Sequence, residues 1–302
     1  MVGVFHRTVF FLSFLVLVLP ASGWGAAQSL SANSLTAESV LLVDPQGRVL
    51  FSKNPQGEHA PASLVKLMTL YLAFEALESD LVTWEEEIEV SATAARTPLY
   101  RLGLRRGEKV SFGVLLQGIA IASANDAATA VAEHLAGSEE AFVARMNEKA
   151  DELGLIHTRF ANPHGLPASD QWTTAQDLAQ LTDRLLEEFP GARGLLAGKS
   201  FVYRGKVYQR QIVLDKAPDG VQAVKTGYTH ASGYNLAVAA YRGGQRFLCI
   251  LLGAETRWLS FLEARRLIQY GLTQNGFHVT EDGRRPAPKK SGGSKASRTS
   301  RR

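Results

Sequence analysis

Ser63 is followed three residues later by Lys66, in the string Pro61-Ala62-Ser63-Leu64-Val65-Lys66. A serine hydroxyl is a weak nucleophile and needs a neighbouring base. A lysine amine can be that base if burial or nearby cations lower its pKa enough to populate the free amine. Leu64, Val65, Leu67, Met68, Leu70, Tyr71, Leu72 and Phe74 make this run apolar nearly all round, which predicts a buried helix. Residues three apart on a helix share a face, one turn from each other, so Ser63 and Lys66 would meet. The helix N-terminus would add backbone N–H groups and a positive dipole end, both suited to a developing oxyanion.

Two more strings follow in order, Ser123-Ala124-Asn125 and Lys225-Thr226-Gly227. Alone, each matches ordinary structure: S-x-x-K a helix start, K-T-G a turn into a strand. Their order and settings lift them above that background. Ser123 and Asn125 interrupt a small apolar stretch, Gly118-Ile119-Ala120-Ile121-Ala122 before and Ala127-Ala128 after. Polar groups in such surroundings need partners or a function. Lys225-Thr226-Gly227 precedes the strand-like run Tyr234-Asn235-Leu236-Ala237-Val238-Ala239. Together the three strings describe a serine acyl-transfer site that carries its own lysine bases.

With these motifs the chain resembles the low-molecular-weight penicillin-binding proteins that act as D-alanyl-D-alanine carboxypeptidases. The likeness covers roughly residues 39–275. It includes Ala132-Glu133-His134-Leu135-Ala136-Gly137-Ser138, Thr158-Arg159-Phe160-Ala161-Asn162-Pro163-His164-Gly165-Leu166, Thr173-Thr174-Ala175-Gln176-Asp177-Leu178 and Gly233-Tyr234-Asn235-Leu236. The resemblance implies that Ser63 is acylated, that Lys66 takes its proton and that Ser123 relays a proton to the leaving D-alanine. It implies that Asn125 hydrogen-bonds the substrate backbone and that Lys225 supplies positive potential and supports Ser123. Thr226, followed by Gly227, would bind the terminal carboxylate, and the backbone N–H groups of Ser63 and Tyr228 would form the oxyanion hole. Arg210 is placed like an arginine the family uses near that carboxylate, although Tyr208-Gln209-Arg210-Gln211 departs from the usual asparagine-flanked form. The implied partners are peptidoglycan stem peptides and, as covalent inhibitors, β-lactam antibiotics. Many members continue into a β-rich domain and a membrane-lying amphipathic helix; the likeness here stops near Asn275, and neither is expected.

The same motifs also serve D,D-endopeptidases that cut stem cross-links. A class A β-lactamase would need a glutamate to activate the deacylating water, but no Glu-x-x-Leu-Asn follows Ser123 and residues 156–168 hold no acid. No cofactor and no metal is expected: His134, His157, His164 and His230 lack ligand spacing, and His164 reads as a loop residue.

The pattern predicts an α+β fold of the β-lactamase/transpeptidase kind. Strand runs at 40–43 and 49–51, and at 236–241 and 246–252, read as two hairpins. Residues 257–275 read as an amphipathic helix and 85–190 as mostly helical. An antiparallel sheet flanked by helices, plus a helical subdomain, would leave all three motifs in the cleft between them.

Residues 1–27 read as a signal peptide: Arg7, then the apolar run at 9–19, Pro20, and Gly25-Ala26-Ala27 before Gln28. The catalytic domain is expected over 28–277 and a basic tail over 278–302, the product being exported to the periplasm or the wall side of the membrane. Of the net charge of +4, residues 281–302 hold +6 and the leader +1, leaving −3 for 28–280. The lone Cys249 sits in a strand-like apolar run and reads as a buried thiol. A Pro/Gly/Ser/Lys/Arg tail suits anionic lipid or wall polymer, whereas an exported enzyme has no call on nucleic acid. Deleting 281–302 should leave turnover of a small soluble peptide within about twofold and should weaken sedimentation with anionic vesicles, the more so at low salt.

Overall fold

The computed structural model describes residues 31–210 and 220–277; the expected leader and basic tail lie outside them. Strands β1 (Ser39–Val43) and β2 (Val49–Lys53) form the first hairpin as expected. The Asp44 carboxylate fixes its turn by accepting from the backbone N–H groups of Gln46 and Arg48, each at 2.9 Å. β1 is buried along Ser39-Val40-Leu41-Leu42, as in a strand covered on both faces.

Helix α1 (Lys66–Glu78) is buried along nearly its whole length, matching its all-round apolar sequence. It begins one residue group later than the sequence suggested. Ser63 lies in a 3₁₀ turn, Ala62–Val65, not in the α-helix itself. The cause is local: Ala62 has a left-handed φ of 49°, which bends the chain sharply into the turn.

The helical middle carries a small sheet that the sequence reading missed, β3 (Glu87–Glu89) against β4 (Lys109–Ser111). Around it stand α2 (Ala92–Arg96), α3 (Phe112–Gln117), a π turn (Gly118–Ala122), α4 (Asn125–Ala136) and α5 (Glu139–Glu152). Helix α6 (Ala175–Glu188) starts at Thr174, whose side chain accepts from the Asp177 N–H, and α7 (Pro190–Ala197) starts with its proline at the first position. A hairpin of β5 (Ser200–Tyr203) and β6 (Lys206–Gln209) follows.

β7 (Val221–Thr229), β8 (Gly233–Arg242) and β9 (Gln245–Ala254) complete a five-stranded antiparallel sheet in the order β2-β1-β9-β8-β7. Gly243 and Gly244, both at positive φ, make the tight β8–β9 turn. Alternate residues of β9 divide between two layers. Leu248, Ile250 and Leu252 join the core that includes α1 and α6 residues, while Phe247 faces Gly271 of α8 (Arg257–Gln274). Cys249 is fully buried, and burial pushes its thiol pKa up. Within α8 the buried Glu263 accepts from the Thr36 N–H and hydroxyl and from the Ala37 N–H, tying the start of the described chain to this helix.

The nucleophile turn is braced from outside the sheet. Gly165, at φ 83°, lies so close that a Cβ there would sit 2.0 Å from the Ala62 carbonyl oxygen. Gly165→Ala should therefore destabilise the protein by about 1–3 kcal/mol and displace the Ser63 turn. The check is a fall in thermal midpoint; an unchanged midpoint would show that the turn tolerates the methyl group.

Candidate active site

The site is built around one buried amine. Lys66 is fully buried, and its Nζ lies 2.7 Å from Asn125 Oδ1, 3.1 Å from Ser63 Oγ and in a very short contact with the His164 carbonyl oxygen. Burial pushes its pKa down to about 7; the negative charge of Asp126 pulls the other way. A neutral amine has two N–H bonds and one lone pair. Two acceptors, Asn125 Oδ1 and the His164 carbonyl, can use both N–H bonds, which leaves the lone pair for the Ser63 hydroxyl proton.

Asn125 and Asp126, the first residues of α4, hold this arrangement. Asn125 Nδ2 donates to the Pro98 carbonyl at 2.9 Å, which orients Oδ1 towards Lys66, and its backbone N–H donates to the Tyr100 carbonyl at 2.7 Å. The fully buried Asp126 carboxylate accepts from the N–H groups of Leu102, Gly103 and Leu104 at 3.0, 2.9 and 3.1 Å. These bonds clamp the loop 98–104, in which Leu99 and Tyr100 both have positive φ.

Ser123 ends the π turn in a left-handed conformation, φ 56°. The Nζ of Lys225, itself buried on β7, donates to Ser123 Oγ at 2.8 Å and to the Thr226 carbonyl at 2.9 Å. Burial holds Lys225 well below the usual amine range, and the like charges of Lys66 and Arg210 push it the same way.

β7 passes directly along the nucleophile turn. A Cβ on Gly227 would lie 3.0 Å from the Pro61 carbonyl oxygen and 3.1 Å from the Ser63 nitrogen, so glycine allows the strand its close approach. Asn235 of β8 locks the same turn to the sheet: its Nδ2 donates to the Ala60 and Pro61 carbonyls at 2.9 and 3.1 Å, and its Oδ1 accepts from the Gly253 N–H at 2.9 Å. The half-exposed Tyr228 stacks on Tyr234, ring centroids 4.3 Å apart.

Ser63, Ser123, Arg210, Lys225, Thr226, Gly227 and Tyr228 line one cavity of about 490 Å³. Arg210 is held from behind, donating to the carbonyls of Gly198 at 2.7 Å and Leu195 at 3.2 Å, and burial lowers its pKa to about 10. Lys66 and Asn125 stand behind the cavity wall and reach it through Ser63. Three residues here were not singled out by the sequence. His164 does lie in a loop, and its backbone carbonyl is the group that matters. No role was expected of Asp126, which follows the Ser123-Ala124-Asn125 string, or of Asn235 in its strand-like run.

The geometry and the comparisons agree. A family model described as D-alanyl-D-alanine carboxypeptidase, Peptidase S11, matches residues 26–256. The chain is 35% identical over 268 residues to the D-alanyl-D-alanine carboxypeptidase DacC of Escherichia coli and 34% identical over 247 residues to DacF of Bacillus subtilis, alignments covering 86% and 80% of this chain. It spans just under two thirds of the length of these relatives, 66% and 64%. Among solved structures, the carboxypeptidase DacD of Francisella tularensis superposes with a TM-score of 0.77 at 28% identity, covering 79% of this chain and 71% of that one. Penicillin-binding protein D2 of Listeria monocytogenes in its ampicillin-bound form gives 0.73 at 27% identity, covering 79% and 98%. The fold is that of penicillin-binding proteins and transpeptidases. The chain belongs to the D-alanyl-D-alanine carboxypeptidase family, Peptidase S11.

If Lys66 is the base for Ser63, its pKa of about 7 should make acylation rise with pH through neutrality, because only the neutral amine can accept the proton. Asp126 favours the charged amine, so removing its charge should lower the Lys66 pKa further. In Asp126→Asn the acid limb of the acylation profile should move to lower pH by a few tenths of a unit or more. Stopped-flow acylation by a chromogenic β-lactam across pH 5–9 is the measurement, and a shift to higher pH would contradict the assignment.

Proposed function

We propose that this protein is a serine D-alanyl-D-alanine carboxypeptidase that removes the terminal D-alanine from peptidoglycan stem peptides. The observation that carries this reading is the placement of Lys66, buried, depressed in pKa and 3.1 Å from Ser63 Oγ. Neutral Lys66 takes the hydroxyl proton as Ser63 Oγ attacks the carbonyl carbon between the two D-alanines. The negative charge on that oxygen is met by the backbone N–H groups of Ser63 and Tyr228. Ser123, held by Lys225, passes a proton to the departing D-alanine nitrogen as the C–N bond breaks. Water then cleaves the acyl-enzyme and restores Ser63. The substrate's terminal carboxylate faces Thr226, Lys225 and Arg210, where charge-assisted bonds favour it over an amide.

The same chemistry accounts for β-lactams as covalent inhibitors, since an opened lactam ring leaves an acyl group on Ser63 and a leaving amine that stays tethered. Among the described residues no helix is long and apolar enough to cross a membrane. We place the catalytic domain over 28–277, exported behind a cleaved leader and followed by a basic tail.

Ser63→Ala should abolish covalent penicillin labelling and lower D-alanine release by on the order of 10³-fold or more while leaving the melting temperature near that of the parent. Labelling that persists in the variant would remove Ser63 from its role. Product mass from cross-linked muropeptides separates carboxypeptidase from endopeptidase action.

A further inference from the structure

The two acceptors on Lys66 are joined behind it by a run of polar groups. The Asn125 amide is bound to the Pro98 carbonyl. Thr97, one residue earlier, donates from Oγ1 to Thr129 Oγ1 of α4 at 3.1 Å. Thr129 Oγ1 donates to Oε2 of Glu139, the first residue of α5, at 3.3 Å. The other oxygen of that carboxylate, Oε1, lies 3.5 Å from His164 Nε2. The His164 backbone carbonyl is the second acceptor on Lys66. Thr97, Thr129 and His164 are buried, while the Glu139 side chain keeps 26% of its surface exposed.

The imidazole is held at both ring nitrogens. Its Nδ1 accepts from the Leu166 N–H at 3.2 Å, which leaves the proton of the neutral ring on Nε2, the side of Glu139. The flanking residues have ties of their own: Gly165 and Leu166 to the Asn162 side chain, and the Pro163 carbonyl to the Thr69 hydroxyl, one turn of α1 beyond Lys66. The His164 side chain ties this loop to α5. Its carboxylate partner sits in a first helical turn, where negative charge is favoured. A buried histidine with two partners is ordinarily a satisfied core residue. This one differs in that its own carbonyl touches the Lys66 amine.

We propose that Glu139 is a positioning residue for acylation: through the His164 imidazole it holds the His164 carbonyl against Lys66, which keeps the lone pair of the amine turned to Ser63. Neither Glu139 nor His164 is among the residues lining the cavity. This rests on Lys66 as the base for Ser63. A carbonyl acceptor favours the ammonium over the amine, so loosening it should make Lys66 easier to deprotonate and less well aimed. The other charges acting on the pair of buried amines are Asp126 of α4 on Lys66, and Arg210 on Lys225 of β7. The substitutions below leave them in place.

The test is stopped-flow acylation of the full chain by a chromogenic β-lactam across pH 5–9, with Glu139→Ala, Glu139→Gln, His164→Asn and the double variant Glu139→Ala/His164→Asn. Glu139→Ala should lower the high-pH plateau rate about threefold to tenfold and move the acid limb to lower pH by a few tenths of a unit. A merely structural role would lower the plateau without moving the limb. Glutamine still offers Nε2 an acceptor, so Glu139→Gln should recover about half of the parent plateau or more. Asparagine at 164 keeps an acceptor for the Leu166 N–H and falls short of Glu139. His164→Asn should therefore match Glu139→Ala, and the double variant should be no slower than either single one. An unchanged plateau in Glu139→Ala, an unmoved limb, or additive losses in the double variant overturns the proposal. If His164→Asn fails to fold, the two Glu139 variants decide: a loss in Glu139→Ala that Glu139→Gln recovers supports it, and equal losses overturn it. A parent rate that does not rise through neutrality strikes at Lys66 as the base instead, and the plateau rates then read the Glu139–His164 pair by the same criteria.

Discussion

Everything at this site follows from keeping a lysine amine inside a protein. A charged ammonium loses most of its hydration on burial, so it either finds a close anion or gives up its proton. Among the described residues Lys66 has no carboxylate within hydrogen-bonding reach. Its partners are an amide oxygen, a backbone carbonyl and a serine hydroxyl. Asp126, whose charge acts on this amine, is engaged by backbone N–H groups of the loop 98–104. It pulls the amine back towards the charged form without pairing with it. Lys225 adds to the effect, because two buried amines in one site disfavour each other's charge. The resulting amine is poised near neutrality.

That poise has a cost in backbone conformation. Ala62, Leu99, Tyr100 and Ser123 all hold left-handed φ values without being glycine, and all lie in the nucleophile turn, the Ser123 turn or the loop between them. Each such residue costs on the order of 1–3 kcal/mol and persists only where the surroundings over-determine it. The surroundings here are specific. Asn235 ties the carbonyls of Ala60 and Pro61 to the sheet, and Asn125 takes the carbonyls of Pro98 and Tyr100. The five-stranded sheet and the core around α1 offset these local costs.

Elements with strong period were legible in the sequence. The β1–β2 and β8–β9 hairpins and α8 stand where alternation and helical spacing put them, and α1 is buried on every side as its composition requires. β3–β4 escaped because three residues per strand carry no usable period. β5–β6 escaped for another reason: Val202 and Val207 are exposed while Phe201 and Tyr208 pack inwards, so apolar residues occupy both faces and alternation vanishes. At the site, side-chain types were readable and backbone groups were not. The acceptor on Lys66 from His164 is a carbonyl, which any residue could supply, and only the fold says which one does.

The strand order carries a consequence for how the protein comes into being. Ser63 follows the β1–β2 hairpin, Lys225 lies on β7, and β9 is the strand that joins the two, pairing with β1 on one side and β8 on the other. β9 is also among the last segments of the body in sequence. Its pairing with β1 closes a loop of most of the chain, the kind of contact that folds slowly. A nascent chain that ends before β9 holds Ser63 and Lys225 beside two separate hairpins, β1–β2 and β7–β8, with no strand between them to complete the sheet. The arrangement of these side chains is therefore complete only when synthesis of the body is nearly finished.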